Sequence, residues 1–397
     1  MICIAILGYG TIGSGVYEVV DKNASVISKN AGEDIKVKYV LDLRDFPGDP
    51  AEDVLTHDFN DILNDPEVSI VCETMGGTGA AYTFTKAALE AGKNVVTSNK
   101  AVVAAFGPEL LKIAKEKGVS YLFEASVGGG IPVLRPLLEC ITADEIEEIT
   151  GILNGTTNFI LTKMYNEGLA FEPTLKQAQS LGYAEADPSA DVEGADACRK
   201  IAILASLANK RYVDFGQISC QGITKITDAD TAFAKACEKK IKLVGTYMNK
   251  NGTLYAQVCP VLMGPENPLY AVDDVMNAIL VRGNMLGDVM FYGAGAGKLP
   301  TASAVVSDII DIVRAKEKPV AIEMAPEGLI LDDICSLKSR YFVRAKKSEE
   351  FEEAFEGILY LEEIPDEAAC ITREMTSGEL EEKTKDIPDI LSIIKVM

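Results

Sequence analysis

With 397 residues, 48% of them apolar and 25% charged, the chain has material for two or three packed cores and is too apolar for a disordered chain. Its formal net charge of -22 repels phosphate backbones and anionic headgroups, which argues against nucleic acid and membranes as partners and for small molecules. The single histidine, His57, lies in the acidic stretch THDFND with no motif around it and reads as a solvated loop residue. A Ser-His-Asp triad, a Cys-His pair and a multi-histidine metal centre are therefore not expected, and acid-base work falls to lysine, carboxylate or tyrosine.

From the N-terminus, Ile2 to Leu7 is an apolar run that predicts a strand, followed at once by GYGTIG, Gly8 to Gly13. Val16, Val19, Val20, Val26 and Ile27 then recur near helical spacing, so the glycine loop opens a helix, as a dinucleotide-binding turn requires. Gly8 permits the tight turn, Gly10 lets backbone approach the pyrophosphate, and Gly13 allows close helix-strand packing. With Tyr9, Thr11 and Ile12 they form the candidate cofactor cradle, because amides at a helix start face phosphate. A ligand-free glycine turn is the bland alternative.

The next strand, Ile35 to Leu41, ends in Asp42, Leu43, Arg44 and Asp45, where an adenine ribose is read. An acidic residue there suits the 2'-hydroxyl of NAD and an arginine the 2'-phosphate of NADP; Arg44 tips the expectation toward NADP. Val68 to Cys72 as strand, Thr83 to Ala91 as helix and Asn94 to Thr97 as strand continue the alternation, which predicts a doubly wound parallel sheet. Ligands bind beyond the carboxyl ends of such strands, where Met75 to Gly77 and Thr97 to Lys100 lie, so Lys100 belongs near the nicotinamide.

Further along, Glu185, Asp187, Asp191, Asp196 and Lys200 gather beside a helix start. Asp196 and Lys200 share a helix face, and Asp191 suits an N-cap. By spacing alone, a solvated surface pair is the simpler reading of Asp196 and Lys200. Residues 341 to 397 read as YFVRA strand, SEEFEEAFEGI helix, strands around ILYLEEI and AACITREM, ELEEKTKDI helix and LSIIKV strand. That βαββαβ order predicts a ferredoxin-like module. The nine dispersed cysteines read as reduced core thiols. No apolar run reaches the roughly 18 residues of a membrane span, and MICIAILGYG has no basic region or cleavage signal, so a cytoplasmic location is expected.

The blocks GYGTIG, TSNKAVVA, EASVGGGIPVL, GILNGTTNFIL, LGYAEADPSADVEGADACRK and YGAGAGKLPTASAVVSD occur in this order over about residues 1 to 340. By them the chain resembles the homoserine dehydrogenase family. The resemblance implies NAD(P)-linked interconversion of homoserine and aspartate 4-semialdehyde, in threonine and methionine biosynthesis, by a homodimer or higher homo-oligomer. It implies a Rossmann-type nucleotide domain over residues 1-130, completed by a returning segment 301-320, and an α+β substrate and dimerisation domain over 131-300. Residues 338-397 then resemble an amino-acid-binding ACT module, although the first turn, AKKSEEF, lacks the usual Pro-Gly. A module kept for assembly is as compatible with that departure as a sensor.

Carried over by position, the resemblance makes Lys200 the proton donor and Lys100 a second positive group. Glu185, Asp191 and Asp196 become substrate contacts, Glu185 on the ammonium and Asp196 orienting the bound homoserine. Gly182 and Gly295 resemble cofactor-contacting glycines, and the helix opened by Thr301 returns to the nucleotide domain. Glu124, Val127, Gly129 and Ile131 match a site for a monovalent cation such as Na+; a glycine hinge is the alternative there. Another amino-acid dehydrogenase of this architecture and a non-catalytic nucleotide-binding sensor are the competing functions. No fused aspartate kinase is expected.

Overall fold

The computed structural model describes residues 1-316 and 318-397, so position 317 of the expected returning segment 301-320 lies outside the described residues. The chain forms two compact units: Met1–Glu145 with Ala202–Phe215 and Phe291–Leu329, and Ile146–Ile201 with Gly216–Met290 and Ile330–Met397.

The first unit is built on six parallel strands: β1 (Ile2–Leu7), β2 (Ile35–Leu41), β3 (Leu55–Thr56), β4 (Val68–Glu73), β5 (Asn94–Thr97) and β6 (Tyr121–Leu122). A parallel sheet is covered on both faces, and its central strand β1 is accordingly a continuous apolar run in which Ile4, Ala5, Ile6 and Leu7 are all fully buried. The order β3-β2-β1-β4-β5-β6 reverses direction between β1 and β4, and a crevice for ligand opens at such a reversal.

The glycine loop does open a helix, Thr11–Lys22, but the expected continuous run stops at Asn23 and a second helix, Ala24–Ala31, carries Ile27 inward while leaving Val26 exposed. The helix expected from Thr83 starts four residues earlier, at Gly79, where Thr78 makes no side-chain cap to mark the start. The returning helix runs Lys298–Ala315, beginning before Thr301. It lies so close to helix Thr11–Lys22 that a Cβ at Gly15 would stand 2.8 Å from the Lys298 carbonyl oxygen.

A ten-stranded sheet, in the second unit up to Met290 of β12, is made of β7 (Ile146–Ile152), β8 (Ser219–Cys220), β9 (Lys240–Lys250), β10 (Thr253–Met263), β11 (Met276–Gly283), β12 (Gly287–Ala294), β13 (Arg340–Lys346), β14 (Leu359–Leu361), β15 (Ile364–Ile371) and β16 (Ile390–Val396). The C-terminal strands run β16-β13-β15-β14 with antiparallel neighbours, the ferredoxin-like order. They are not a free-standing module, because β16 pairs in parallel with β10 at Val261–Lys395 and Leu262–Val396. The buried Arg344 guanidinium on β13 donates to Asp230 at 2.8 Å and to Thr227 at 3.0 Å, and also reaches Glu367 on β15.

The nine cysteines form no disulfide, but Cys140, Cys220 and Cys335 are exposed, so the expectation of core thiols fails at those three. Among the described residues, no helix is long and apolar enough to cross a membrane.

Candidate active site

In the nucleotide-binding unit, β1 delivers the chain into Gly8, whose φ of +88° only glycine adopts without strain. The Gly8 amide donates to the Leu41 carbonyl at 2.8 Å, which ties the loop to the tip of β2. Gly10 is the N-cap of helix Thr11–Lys22 and has no capping side chain, so the amides of that first turn are left for a ligand. A Cβ on Gly10 would meet nothing within 4 Å, whereas one on Gly13 would lie 1.9 Å from the Gly8 carbonyl oxygen. Thr11 stands exposed in the first turn, Ile12 packs against the core, and the Tyr9 ring lies edge-on to Phe46 with its hydroxyl donating to Asp49 at 2.8 Å. Backbone amides and open space at Gly10 fit a pyrophosphate.

At the tip of β2, Asp42 accepts from the Tyr9 amide at 2.7 Å and from Arg44 through Nε, Nη2 and the backbone N, each at 3.0 Å. The Arg44 guanidinium, more than the Tyr9 amide, holds the Asp42 carboxyl down at about 2. His57 is exposed, as expected, but it belongs to this cluster. Its Nδ1 lies 2.6 Å from the Asp42 carbonyl and its Nε2 3.1 Å from Asp45, and these contacts raise its pKa. Nothing near His57 in the sequence signals this, since pairing of β3 with β2 brings it there.

Two further residues escaped the sequence reading. Glu73, buried at the end of β4, accepts from Thr97 Oγ1 at 2.6 Å and from the Met75 amide at 2.8 Å. Asn99 donates to the Gly77 carbonyl at 2.8 Å while its Oδ1 caps helix Lys100–Lys117. Together they clip the Met75–Gly77 and Thr97–Lys100 segments to the strand ends and place Lys100 at the first position of its helix.

Burial pushes the Glu73 carboxyl up to about 7. The folded chain therefore binds this proton more tightly than the unfolded chain, whose glutamate titrates near ~4.3. Its contribution favours folding below the unfolded value and declines as pH rises toward about 7. Glu73→Gln is expected to flatten the fall in thermal midpoint between roughly pH 5 and pH 7. A pH slope identical to that of the parent would exclude Glu73 as its source.

In the second unit, Asp196 and Lys200 lie on helix Ala195–Asn209, with Lys200 Nζ 2.8 Å from Asp196 Oδ2. They are only 3% and 8% exposed, so the solvated surface pair of the simpler reading is excluded. Lys200 also donates to the Leu153 carbonyl at 2.7 Å, and the next residue, Asn154, donates to Asp191 at 2.7 Å and to Asp196 at 2.9 Å. Asp191 sits inside the short helix Ser189–Val192 with its carboxylate turned to Asn154, so it is not the N-cap of the helix that starts at Ala195. Glu185 is exposed on the loop after helix Phe171–Ser180, its carbonyl held by Gln179 Nε2 at 3.0 Å. Gly182, with φ of +76° and clear space around its Cα, turns that loop. Asp191, Asp196 and Lys200 are thus brought together through Asn154, while Glu185 stays exposed on its own loop.

The expected cation residues lie around the glycine run that follows Glu124. The Glu124 carboxylate is buried and accepts from the amides of Val133 at 2.7 Å, Leu134 at 2.9 Å and Arg135 at 2.8 Å. Gly129, at φ +57°, abuts Gly295: a Cβ there would stand 2.5 Å from the Gly295 carbonyl oxygen. Gly128 accepts from the Ile131 amide at 2.9 Å, and the Val127 amide donates to the Glu124 carbonyl at 3.4 Å.

Residues 8–124 match the family model for the homoserine dehydrogenase NAD binding domain, and residues 132–310 match that for homoserine dehydrogenase. The homoserine dehydrogenase of Bacillus subtilis (strain 168) is 43% identical over 315 residues, 78% of this chain and 72% of the relative. That of Synechocystis sp. is 42% identical over 354 residues, 87% and 80% of the two chains. The crystal structure of a homoserine dehydrogenase from Thiobacillus denitrificans superposes with a TM-score of 0.88 at 32% identity, over 100% of this chain and 98% of the other. A hyperthermophilic archaeal homoserine dehydrogenase in complex with NADPH gives a TM-score of 0.67 at 29% identity, covering 78% and 97%.

Proposed function

The chain belongs to the homoserine dehydrogenase family, and from that premise we propose how its residues divide the work of interconverting homoserine and aspartate 4-semialdehyde. Another amino-acid dehydrogenase and a non-catalytic sensor give way to the family assignment. The nicotinamide cofactor, when bound, supplies or accepts the hydride. The chain's own side chains bind the amino acid, hold it in register and move the proton of the alcohol.

Lys200 is the proton carrier. Reduction of an aldehyde develops negative charge on its oxygen, and a lysine ammonium stabilises that charge and delivers the proton. The observation that carries this assignment is the buried Asp196–Lys200 pair, held from behind by Leu153 and Asn154. Lys100 adds a second positive group from its helix start. Glu185 takes the substrate ammonium, with Asp191 and Asp196 orienting the bound homoserine. Gly182 and Gly295 leave room for backbone to approach the cofactor.

We assign NADP over NAD. Arg44 compensates the Asp42 carboxylate that would otherwise repel a 2'-phosphate, and His57, whose pKa is raised by its contacts with Asp42 and Asp45, stands beside it. Arg44→Ala is expected to raise the KM for NADP about 10- to 100-fold, the worth of a charge-assisted hydrogen bond, with the KM for NAD little changed. Initial rates with homoserine and each cofactor check this. Equal changes for both cofactors would remove Arg44 from 2'-phosphate recognition.

Main-chain carbonyls of Glu124, Val127, Gly129 and Ile131 are the ligands for a Na+ ion, hard oxygen donors that suit it. The chain works as a homodimer or higher homo-oligomer; edge strand β12 and its approach bear exposed Met285, Leu286, Met290 and Tyr292, apolar area that suits a second copy. The C-terminal ACT-like module serves assembly, a reading supported by its sheet pairing to β10 and by the buried Arg344 contacts.

A further inference from the structure

We propose that Asn154 is a positioning residue for the reaction, holding the two carboxylates Asp191 and Asp196 in register with Lys200. The inference rests on the roles given above to Asp191, Asp196 and Lys200.

Asn154 follows β7 directly and is the N-cap of helix Gly155–Glu167. Its Oδ1 accepts from the Thr157 amide at 2.9 Å and from Thr157 Oγ1 at 3.1 Å. The two hydrogens of Nδ2 go to Asp191 Oδ1 at 2.7 Å and to Asp196 Oδ2 at 2.9 Å. No other orientation of the amide works: flipping it would set its oxygen against two carboxylate oxygens and its NH2 against the Thr157 amide. The side chain is 6% exposed, so solvent does not substitute for these contacts.

The amide does three things at once. It bridges the two carboxylates without adding a third charge, so their separation is fixed. It shares Asp196 Oδ2 with Lys200 Nζ, which fixes the carboxylate rotamer against which the ammonium rests. The neighbouring Leu153 carbonyl takes the ammonium itself, so consecutive residues of one turn hold the carboxylate and the lysine of the pair from the same side. Capping alone does not explain this choice, because Ser, Thr and Asp cap as well as Asn. Among them, only Asn caps with an oxygen while presenting two donors to carboxylates.

That difference supplies the test. Asn154→Asp keeps the cap but turns an acid toward Asp191 and Asp196, where it can lie only while it holds a proton. Asn154→Ser keeps a cap oxygen and removes the bridge without adding charge. Both variants, Asp196→Asn and the parent are compared by thermal midpoint, NADPH affinity from cofactor fluorescence, and kcat and KM for homoserine from pH 6 to 10.

Asn154→Asp is expected to bind NADPH within about twofold of the parent and to lose roughly tenfold or more in kcat/KM at neutral pH, deepening as pH rises. Asn154→Ser is expected to show a similar loss that is even across the range, and it carries the test alone if the aspartate variant does not fold. Parental kcat/KM and pH profile in either folded variant, while Asp196→Asn impairs turnover, overturns the positioning role. An Asp196→Asn enzyme with parental kinetics overturns the assignment of Asp196 instead, and the positioning role falls with it.

Discussion

Lys200→Ala is expected to lower kcat for homoserine oxidation by about 10²- to 10⁴-fold, the usual worth of a placed acid-base group, while the affinity for NADPH stays within about threefold. The ammonium is buried and reaches Asp196 Oδ2 at 2.8 Å and the Leu153 carbonyl at 2.7 Å. Truncation leaves a buried carboxylate without its cation, and breaking one side of such a pair costs about 3–5 kcal/mol of stability. Lys200→Met, which retains the stem, separates the loss of packing from the loss of charge. Because a lysine in water titrates near ~10.4, oxidation by the parent is expected to gain with rising pH, and the variants to lose that gain. A flat parental profile from neutral to alkaline pH would exclude lysine as the base. Equal loss of turnover and NADPH affinity in Lys200→Ala would point to misfolding.

Gly13→Ala is the second large effect. A methyl at Gly13 would stand 1.9 Å from the Gly8 carbonyl oxygen and 2.8 Å from Thr74 Oγ1, far inside contact distance, so the glycine loop and the start of helix Thr11–Lys22 have to separate. The expected result is a loss of NADPH affinity of at least about 100-fold and a lower thermal midpoint, since overpacking of this kind costs on the order of 1–3 kcal/mol or more. Gly10→Ala supplies the contrast. Beyond its immediate chain neighbours nothing lies within 4 Å of the added methyl, so the thermal midpoint without cofactor is expected to hold while NADPH affinity falls. Parental affinity in both variants would show that the phosphates do not bind at this loop.

The termini of β1, β2 and β5 agree with the strands read from the sequence because each is a local pattern of apolar and β-branched residues closed by polar or turn residues. Helix starts were less legible. Gly79 lacks a side-chain cap at the preceding residue, and the break at Asn23 leaves no Pro or Gly behind it. The ferredoxin-like strand order of the C-terminal segment was readable from its alternation of elements, but the parallel pairing of β16 with β10 was not.

At the site, Asp196 and Lys200 were visible as neighbours because i,i+4 spacing on a helix makes them so in any surroundings. Their burial was not, since spacing is the same on a wet face and a dry one. Family blocks singled out Glu185 and Asp191 by position, yet the turn of Asp191 toward Asn154 spans 37 residues of chain and that of Asp196 spans 42. Likewise Glu124 is legible as a carboxylate beside a glycine run, but its three backbone amide partners are not.

The order of residues alone therefore settles the features that depend on nearest neighbours along the chain: strand runs, the glycine loop, the helical pair and the excess of negative charge. Packing settles the rest, namely which carboxylates are ionised, bridged or raised toward neutral pH, and which arginine stands by which aspartate. The physical reason is that desolvation and hydrogen-bond partners set the chemistry of a charged group, and both come from segments distant in sequence that meet only when the sheets form.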